Sequence, residues 1–290
     1  MDAEPFPSPV AVTARVVVGV ERDREREAQD ALALAVALAP AYDASLLVVS
    51  VYATVLGPSG STYERISRQE AAAFLAHVAR SVPPGVPYET RPVSSSSVAR
   101  GLHRTAEQKS AELIVVGPTH RGPATRALLG DAPLDLAHDA PCAVAVAPPG
   151  YAGSPARSDV VGVGYVATPE GREALGVATA LAGRRHTRLR ILVAGDRRRG
   201  EQLLEQARAV VGSTVPVETV LLEGVDAAAL LRTASEDLDL LVMGSRGRGT
   251  TCRVLLGSTS AHVVHQAACP VLLVPRGAYV PRPRPIPAQA

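Results

Sequence analysis

The chain has 290 residues, with 30 basic and 28 acidic side chains and a formal net charge of +2. That length accommodates two domains of ordinary size, and the near-neutral balance gives no electrostatic drive toward nucleic acid or an anionic membrane surface. Lys109 is the only lysine, which excludes a Walker-type phosphate loop, and Cys142, Cys252 and Cys269 fit neither a disulfide framework nor the spacing of a zinc site.

The start, Met1–Pro7, is acidic and proline-containing and shows no apolar signal region. Residues 1–13 are expected to form a disordered tail. No apolar run has the length needed to cross a bilayer, so a reduced, cytoplasmic protein without membrane contact is expected. The first β-branched run, Arg15–Val20, predicts a strand, and the stretch from about Arg24 to Ala41 predicts a helix. Strand Ser45–Tyr52, a helix over Ser67–Ser81, strand Tyr88–Val93 and helix Ser96–Lys109 follow. Strand Leu113–Val116, a helix over Asp131–Asp139 and strand Ala143–Ala147 complete the first unit.

The turn-forming run over residues 149–157 reads as a linker. Beyond it, strands are predicted at Val160–Tyr165, Leu189–Ala194, Val217–Leu222, Leu240–Met243 and Val271–Val274. Helices are predicted near Pro169–Arg184, Glu201–Val211, Asp226–Asp237 and Ser258–Ala267. The Pro/Arg-rich tail, 277–290, is expected to be extended. Apolar strands alternating with helices indicate a parallel sheet covered on both faces, with ligands beyond the carboxyl ends of the strands.

The chain is one unit written twice. Gly117 and Gly244, Gly130 and Gly257, and Cys142 and Cys269 are each 127 residues apart. Roughly a third of the residues in that register match, which chance does not sustain over such a length. The second copy carries Gly244-x2-Gly247-x9-Gly257-Ser258 directly after an apolar strand. Such a turn brings bare backbone N–H groups and a helix N-terminus to one point, an arrangement suited to a polyphosphate.

Two βα units closing with this glycine pattern, each followed by Ala-Pro-Cys142 or Ala-Cys269-Pro and a short strand, resemble a tandem universal stress protein. The resemblance covers 14–148 and 158–276, nearly the whole chain. It implies α/β units with Rossmann-like, five-stranded parallel sheets, of the adenine nucleotide alpha hydrolase-like kind. It further implies that the last strands of the two units meet edge to edge as an internal pseudo-dimer, which would cover two apolar edges. It leaves a homodimer of two chains open. Cys142 and Cys269 then read as small buried side chains rather than redox groups.

In the family pattern Gly244 and Gly247 run along the phosphates of ATP or another adenine nucleotide, with magnesium as a companion ion. Gly257 allows close backbone approach, and Ser258 and Thr259 present hydroxyl and N–H groups at the start of the last helix. Ser258 is in its own right a good N-cap residue. Arg246 and Arg248 read either as phosphate contacts or as a solvated cationic loop. On the base and ribose side, Gly164 precedes Val166, which stands where the family usually has an acidic residue. Ala194 and the backbone of Met243 fall near the base.

In the first copy the acidic residue is Glu21 and the base-side apolar position is Val51. His120 replaces the second glycine, and Asp131 replaces the hydroxyl after Gly130, so a carboxylate stands where the resemblance puts phosphates. Gly117 remains, and nucleotide is expected mainly in the second copy. No catalytic constellation accompanies the glycine pattern, so any ATP cleavage is expected to be slow. His262 and His265 lie on adjacent turns, as a metal pair or as surface and packing side chains. The expectation is a stress-response regulator that binds an adenine nucleotide. The alternative is an interaction scaffold of the same fold, and an adenylyl transferase would need a His-x-Gly-His motif, which is absent.

Overall fold

The computed structural model describes residues 14–54, 60–118, 132–153, 159–245 and 257–275. The expected terminal tails lie outside the described residues. The first half runs β1 (Ala14–Gly19), α1 (Glu25–Tyr42), β2 (Ala44–Ala53), α2 (Gly60–Val78), β3 (Tyr88–Ser95), α3 (Val98–Gln108), β4 (Leu113–Val116), α4 (Ala132–Ala137) and β5 (Ala143–Val146). The second runs β6 (Val160–Gly164), α5 (Pro169–Arg184), β7 (Arg188–Gly195), α6 (Arg197–Val211), β8 (Val217–Glu223), α7 (Ala227–Ala234), β9 (Leu240–Gly244), α8 (Ser258–Gln266) and β10 (Val271–Val274).

All ten strands join one sheet in the order β3-β2-β1-β4-β5-β10-β9-β6-β7-β8. Pairing is parallel within each half, while β5 and β10 pair antiparallel, with Val271 opposite Val146 and Leu273 opposite Val144. The two last strands thus cover each other's edge, as expected from the resemblance. Their opposite direction has a geometric result: the carboxyl ends of the two halves lie on opposite borders of the sheet.

The strands are apolar in succession because helices cover both faces. Val16, Val17 and Val18 are each fully buried, although their side chains alternate between faces. On one face a single core runs through both halves, from Val16, Val18 and Leu46 through Ala145 and Leu272 to Val161 and Ile191. On the other face there are two smaller clusters, one around Val17, Leu47 and Ile114 and one around Leu192, Leu241 and Met243. Val264 of α8 packs against both, and Ala137 of α4 belongs to the second-half cluster.

The connection between halves is anchored. Asp30 on α1 is 4% exposed, and its two carboxylate oxygens accept the N–H groups of Gly150 (2.9 Å) and Ala152 (2.8 Å). Between them Tyr151 packs on the continuous core. The carboxylate therefore replaces the water that a turn of exposed backbone would otherwise use.

Helix α2 begins seven residues earlier than the apolar pattern predicts. Its first turns carry Tyr63 (53% exposed) and Ile66 (43% exposed) on the outer rim, so no buried stripe marks them in the sequence. Cys142 and Cys269 are buried and, among the described residues, form no disulfide. Burial, reinforced by the charge of Glu112, pushes the Cys142 thiol up to about 12. Burial also raises the Tyr42 hydroxyl, with Glu112 and Cys142 adding to it. Among the described residues no helix is long and apolar enough to cross a membrane.

Candidate functional site

Within each half the strand order reverses direction at one place, between β1 and β4 and between β6 and β9. The carboxyl ends of such neighbours splay their connections to opposite faces and leave a crevice. Gly19 pairs with Val116 there, and Gly164 with Met243, so the repeat seen in sequence is also a register in the sheet.

In the second half the crevice is built from strand ends inward. Tyr165 donates its N–H to Leu192 (2.8 Å), and the chain then turns at Val166 into α5, whose N-cap Thr168 accepts the N–H of Gly171 (3.1 Å). Val166 and Gly164 are half-buried at this border, as is Ala194 at the end of β7. A methyl group on Gly164 would meet Met243 Cγ at 3.5 Å, an ordinary contact, so packing alone does not require glycine there. The Met243 side chain is 5% exposed and belongs to the core, which leaves only its backbone to face the crevice.

Gly244 is different. A methyl group there would stand 3.0 Å from Glu170 Cβ and 3.1 Å from the Glu170 carbonyl carbon. On Gly117, its counterpart, it would collide with the carbonyl oxygen of Glu27. Both glycines let a strand end pass against the first turn of the first helix of the same half, α5 for Gly244 and α1 for Gly117, whatever the crevice holds.

The turn after β9 is pinched at its base. Ser245 donates to the carbonyl of Val274 (2.8 Å) and accepts the N–H of Gly257 (3.0 Å). The buried Ser260 hydroxyl donates to the Gly244 carbonyl (3.1 Å). These bonds fix the N-terminus of α8 beside the end of β9. The N-cap is Gly257, with φ −59° and ψ 143°, and among the described residues no side chain caps the helix. Ser258 is therefore not the cap its residue type suggests. It is the first helical residue and exposed, while Thr259 beside it is half-buried. The reason is that Ser260, not Ser258, points back at the strand. Arg246, Gly247, Arg248 and Cys252 lie outside the described residues.

Two residues of this border are absent from the glycine pattern. Ser260 is the third hydroxyl of the Ser-Thr-Ser run, and only its tie to Gly244 distinguishes it. Glu170 is 6% exposed at the start of α5, where sequence shows only an acidic residue in a first helical turn. His262 donates from Nδ1 to the Ser258 carbonyl one turn back (2.7 Å).

In the first half Gly117 ends β4, and His120, Gly130 and Asp131 lie outside the described residues. Glu21 follows β1 and is held by Arg24, whose Nε is 3.1 Å from the carboxylate. Arg24 also approaches Glu27 at 3.7 Å. A cleft of about 680 Å³ opens over the carboxyl ends of β1 and β2, reaching Glu21, Val51 and the inner side of α2.

The comparisons agree with this geometry. Over 233 residues the chain is 28% identical to a universal stress protein of Mycobacterium tuberculosis, covering 72% of this chain and 78% of that one. Over 78 residues it is 47% identical to a universal stress protein of Thermus aquaticus, covering 26% of this chain and 56% of that one. A universal stress protein from Archaeoglobus fulgidus has the same fold, with a TM-score of 0.74 at 21% identity, over 91% of this chain and 97% of that one. The model of the universal stress protein family matches residues 13–148 and 193–275, omitting the segment with β6, Val166 and α5. With a stretch of each half matched and a ten-stranded sheet built twice over from one βα unit, the chain belongs to the universal stress protein family.

Proposed function

We propose that this chain is a stress-response regulator whose second half holds an adenine nucleotide, ATP foremost, with the phosphates against the start of α8. The observation that carries this reading is the bare N-terminus of that helix. Gly257 occupies its N-cap, no side chain among the described residues caps it, and two backbone bonds and the Ser260 hydroxyl hold it beside the end of β9. Free N–H groups and the helix dipole favour an anion there by about 0.3–1 kcal/mol at an exposed site, and more where water is excluded. The intact spacing from Gly244 to Ser258 adds further backbone donors in sequence. Gly164, Ala194 and the Met243 backbone line the base side of the same border. Magnesium accompanying ATP would offset phosphate charge near Glu170.

Val166 supplies no carboxylate for a ribose. Each hydrogen bond so lost is worth about 0.5–1.5 kcal/mol, which weakens binding roughly tenfold without abolishing it. No group beside the crevice is assigned a catalytic role, so binding rather than turnover is the proposed activity.

A second reading, an interaction scaffold that binds no nucleotide, is favoured by a specific observation. Gly244 and Gly117 are both accounted for by close packing on Glu170 and Glu27. For that reason Gly244 is a poor probe of binding, and Gly247 is the better one. Freshly purified protein is denatured, and released nucleotide is measured by chromatography and mass spectrometry. Stoichiometric adenine nucleotide, lost in Gly247→Val, supports the regulator. Protein that is empty as purified and gives no heat with added ATP refutes it and leaves the scaffold.

A further inference from the structure

We propose that the chain pairs with a second copy of itself along the free edge of β8, strand against antiparallel strand, so that two ten-stranded sheets become one. The sheet ends at β3 on one side and at β8 on the other. Alternate residues of such an end strand turn their N–H and C=O groups toward the neighbouring strand, and the rest turn them away. The Pro87 carbonyl accepts the Leu46 N–H and the Pro216 carbonyl accepts the Leu189 N–H, both at 2.9 Å, so the two edges stand in the same register. Tyr88, Thr90, Pro92 and Ser94 of β3 therefore face outward, as do Val217, Thr219, Leu221 and Glu223 of β8.

The first half closes its edge. Pro92 has no N–H, and the outward carbonyl of Ser94 already accepts a bond from Arg104 of α3 (2.6 Å). Such devices keep an edge from templating another strand. The second half lacks them. Counted from Pro87 and Pro216, Arg91 and Pro92 of β3 are replaced by Val220 and Leu221 of β8. Among the described residues no hydrogen bond reaches the outward N–H and C=O groups of Val217, Thr219, Leu221 and Glu223. Val220, Leu221 and Leu222 are only half-buried, and Val225 just beyond the strand is fully exposed.

The strand's own symmetry selects the occupant. Laid antiparallel on a second β8 about a twofold axis through Val220, Thr219 faces Leu221 of the other copy and Val217 faces Glu223. These are pairs in which both residues exchange N–H and C=O, so every outward group of the strand finds a partner. The charges permit the same register. Within each copy Glu218 is 2.9 Å from Arg190, and Glu223 is 2.6 Å from Arg197. Across the axis Glu218 lies opposite Leu222 and Glu223 opposite Val217, so no two carboxylates are directly opposed. Strand β8 is not a wall of the crevice between β6 and β9, so the pairing stands apart from the nucleotide reading.

Sedimentation equilibrium of the full chain over a micromolar concentration series tests this. The native chain is expected at twice the mass of one copy. The double variant Val220→Arg/Leu221→Pro gives β8 the residues that β3 carries, at an N–H that bonds to nothing within the chain. It should raise the dissociation constant roughly tenfold or more, with the circular dichroism spectrum and the nucleotide content unchanged. Val220→Cys sets two thiols face to face across the axis, and mild oxidation should give more covalent dimer than the native chain does. Glu218→Cys, which faces Leu222 of the other copy, should not. A native chain that sediments as a monomer overturns the proposal and leaves the edge to a strand of another protein. A dimer indifferent to the double variant places the contact elsewhere and overturns it too. Should that variant unfold, the cysteines decide: equal crosslinking at both positions, or at neither, overturns the proposal.

Discussion

Replacing Asp30 by alanine tests how firmly the two halves are tied through their connection. The native carboxylate is 4% exposed and accepts two N–H bonds, at 2.9 and 2.8 Å, from Gly150 and Ala152. A hydrogen bond to a charged acceptor contributes about 1.5–3 kcal/mol, so the pair sets an upper value near 3–6 kcal/mol. Gly150 and Ala152 are exposed, however, and water reaches their N–H groups once the turn lifts. Alanine also returns a few tenths of a kcal/mol in helix propensity. The expected net loss is therefore about 2–3 kcal/mol, with about half of it for Asp30→Asn, which keeps one acceptor. The assay is urea unfolding followed by circular dichroism, paired with hydrogen exchange at residues 150–153. Faster exchange of that segment should accompany the lower midpoint. A loss below about 0.5 kcal/mol, or unchanged exchange, would refute the clamp and reduce the contact to a surface hydrogen bond.

Two further outcomes are expected from packing and burial. Gly117→Ala should cost about 2–3 kcal/mol and Gly244→Ala about 1 kcal/mol, because the first methyl would collide with a backbone oxygen, whereas the second meets Glu170 at 3.0 to 3.2 Å, which a small shift relieves; the reverse order in denaturant midpoints would contradict this. The Cys142 thiol is raised from 9.0 to about 12 by burial, so it stabilises the fold below pH 9, and that contribution is lost as pH rises through the folded value. Between those limits stability should fall by about 1.4 kcal/mol per pH unit from this group, and Cys142→Ala should remove the component that begins near pH 9. Tyr42, raised likewise, should leave a separate decline beginning nearer its ordinary value of 10.0. An alkaline profile unchanged by Cys142→Ala would show that the thiol ionises freely in the folded chain.

The amino-acid sequence determined the repeat, the ten strands and most helices for one reason: both faces of the sheet are buried. Strands such as Val16–Val18 and Leu240–Val242 are then apolar at every position, and the helices between them keep a stripe such as Leu34, Leu38 and Tyr42. The glycine spacing was equally legible, since it is local in the chain. Local signals failed where nothing apolar is buried, as in the first turns of α2, and where residue type suggested a cap that a neighbour displaced, as at Ser258.

Tertiary structure alone decided how the parts meet. The antiparallel pairing of β5 with β10 joins segments with no contact in sequence, and it sends the two halves' crevices to opposite borders. The same pairing merges the cores on one face and keeps them apart on the other. Asp30 gained its role only when α1 met residues 120 and 122 positions further along the chain. Periodicity encodes which face of an element is buried, whereas these contacts depend on which elements become neighbours, and that is settled by the packing of the whole sheet.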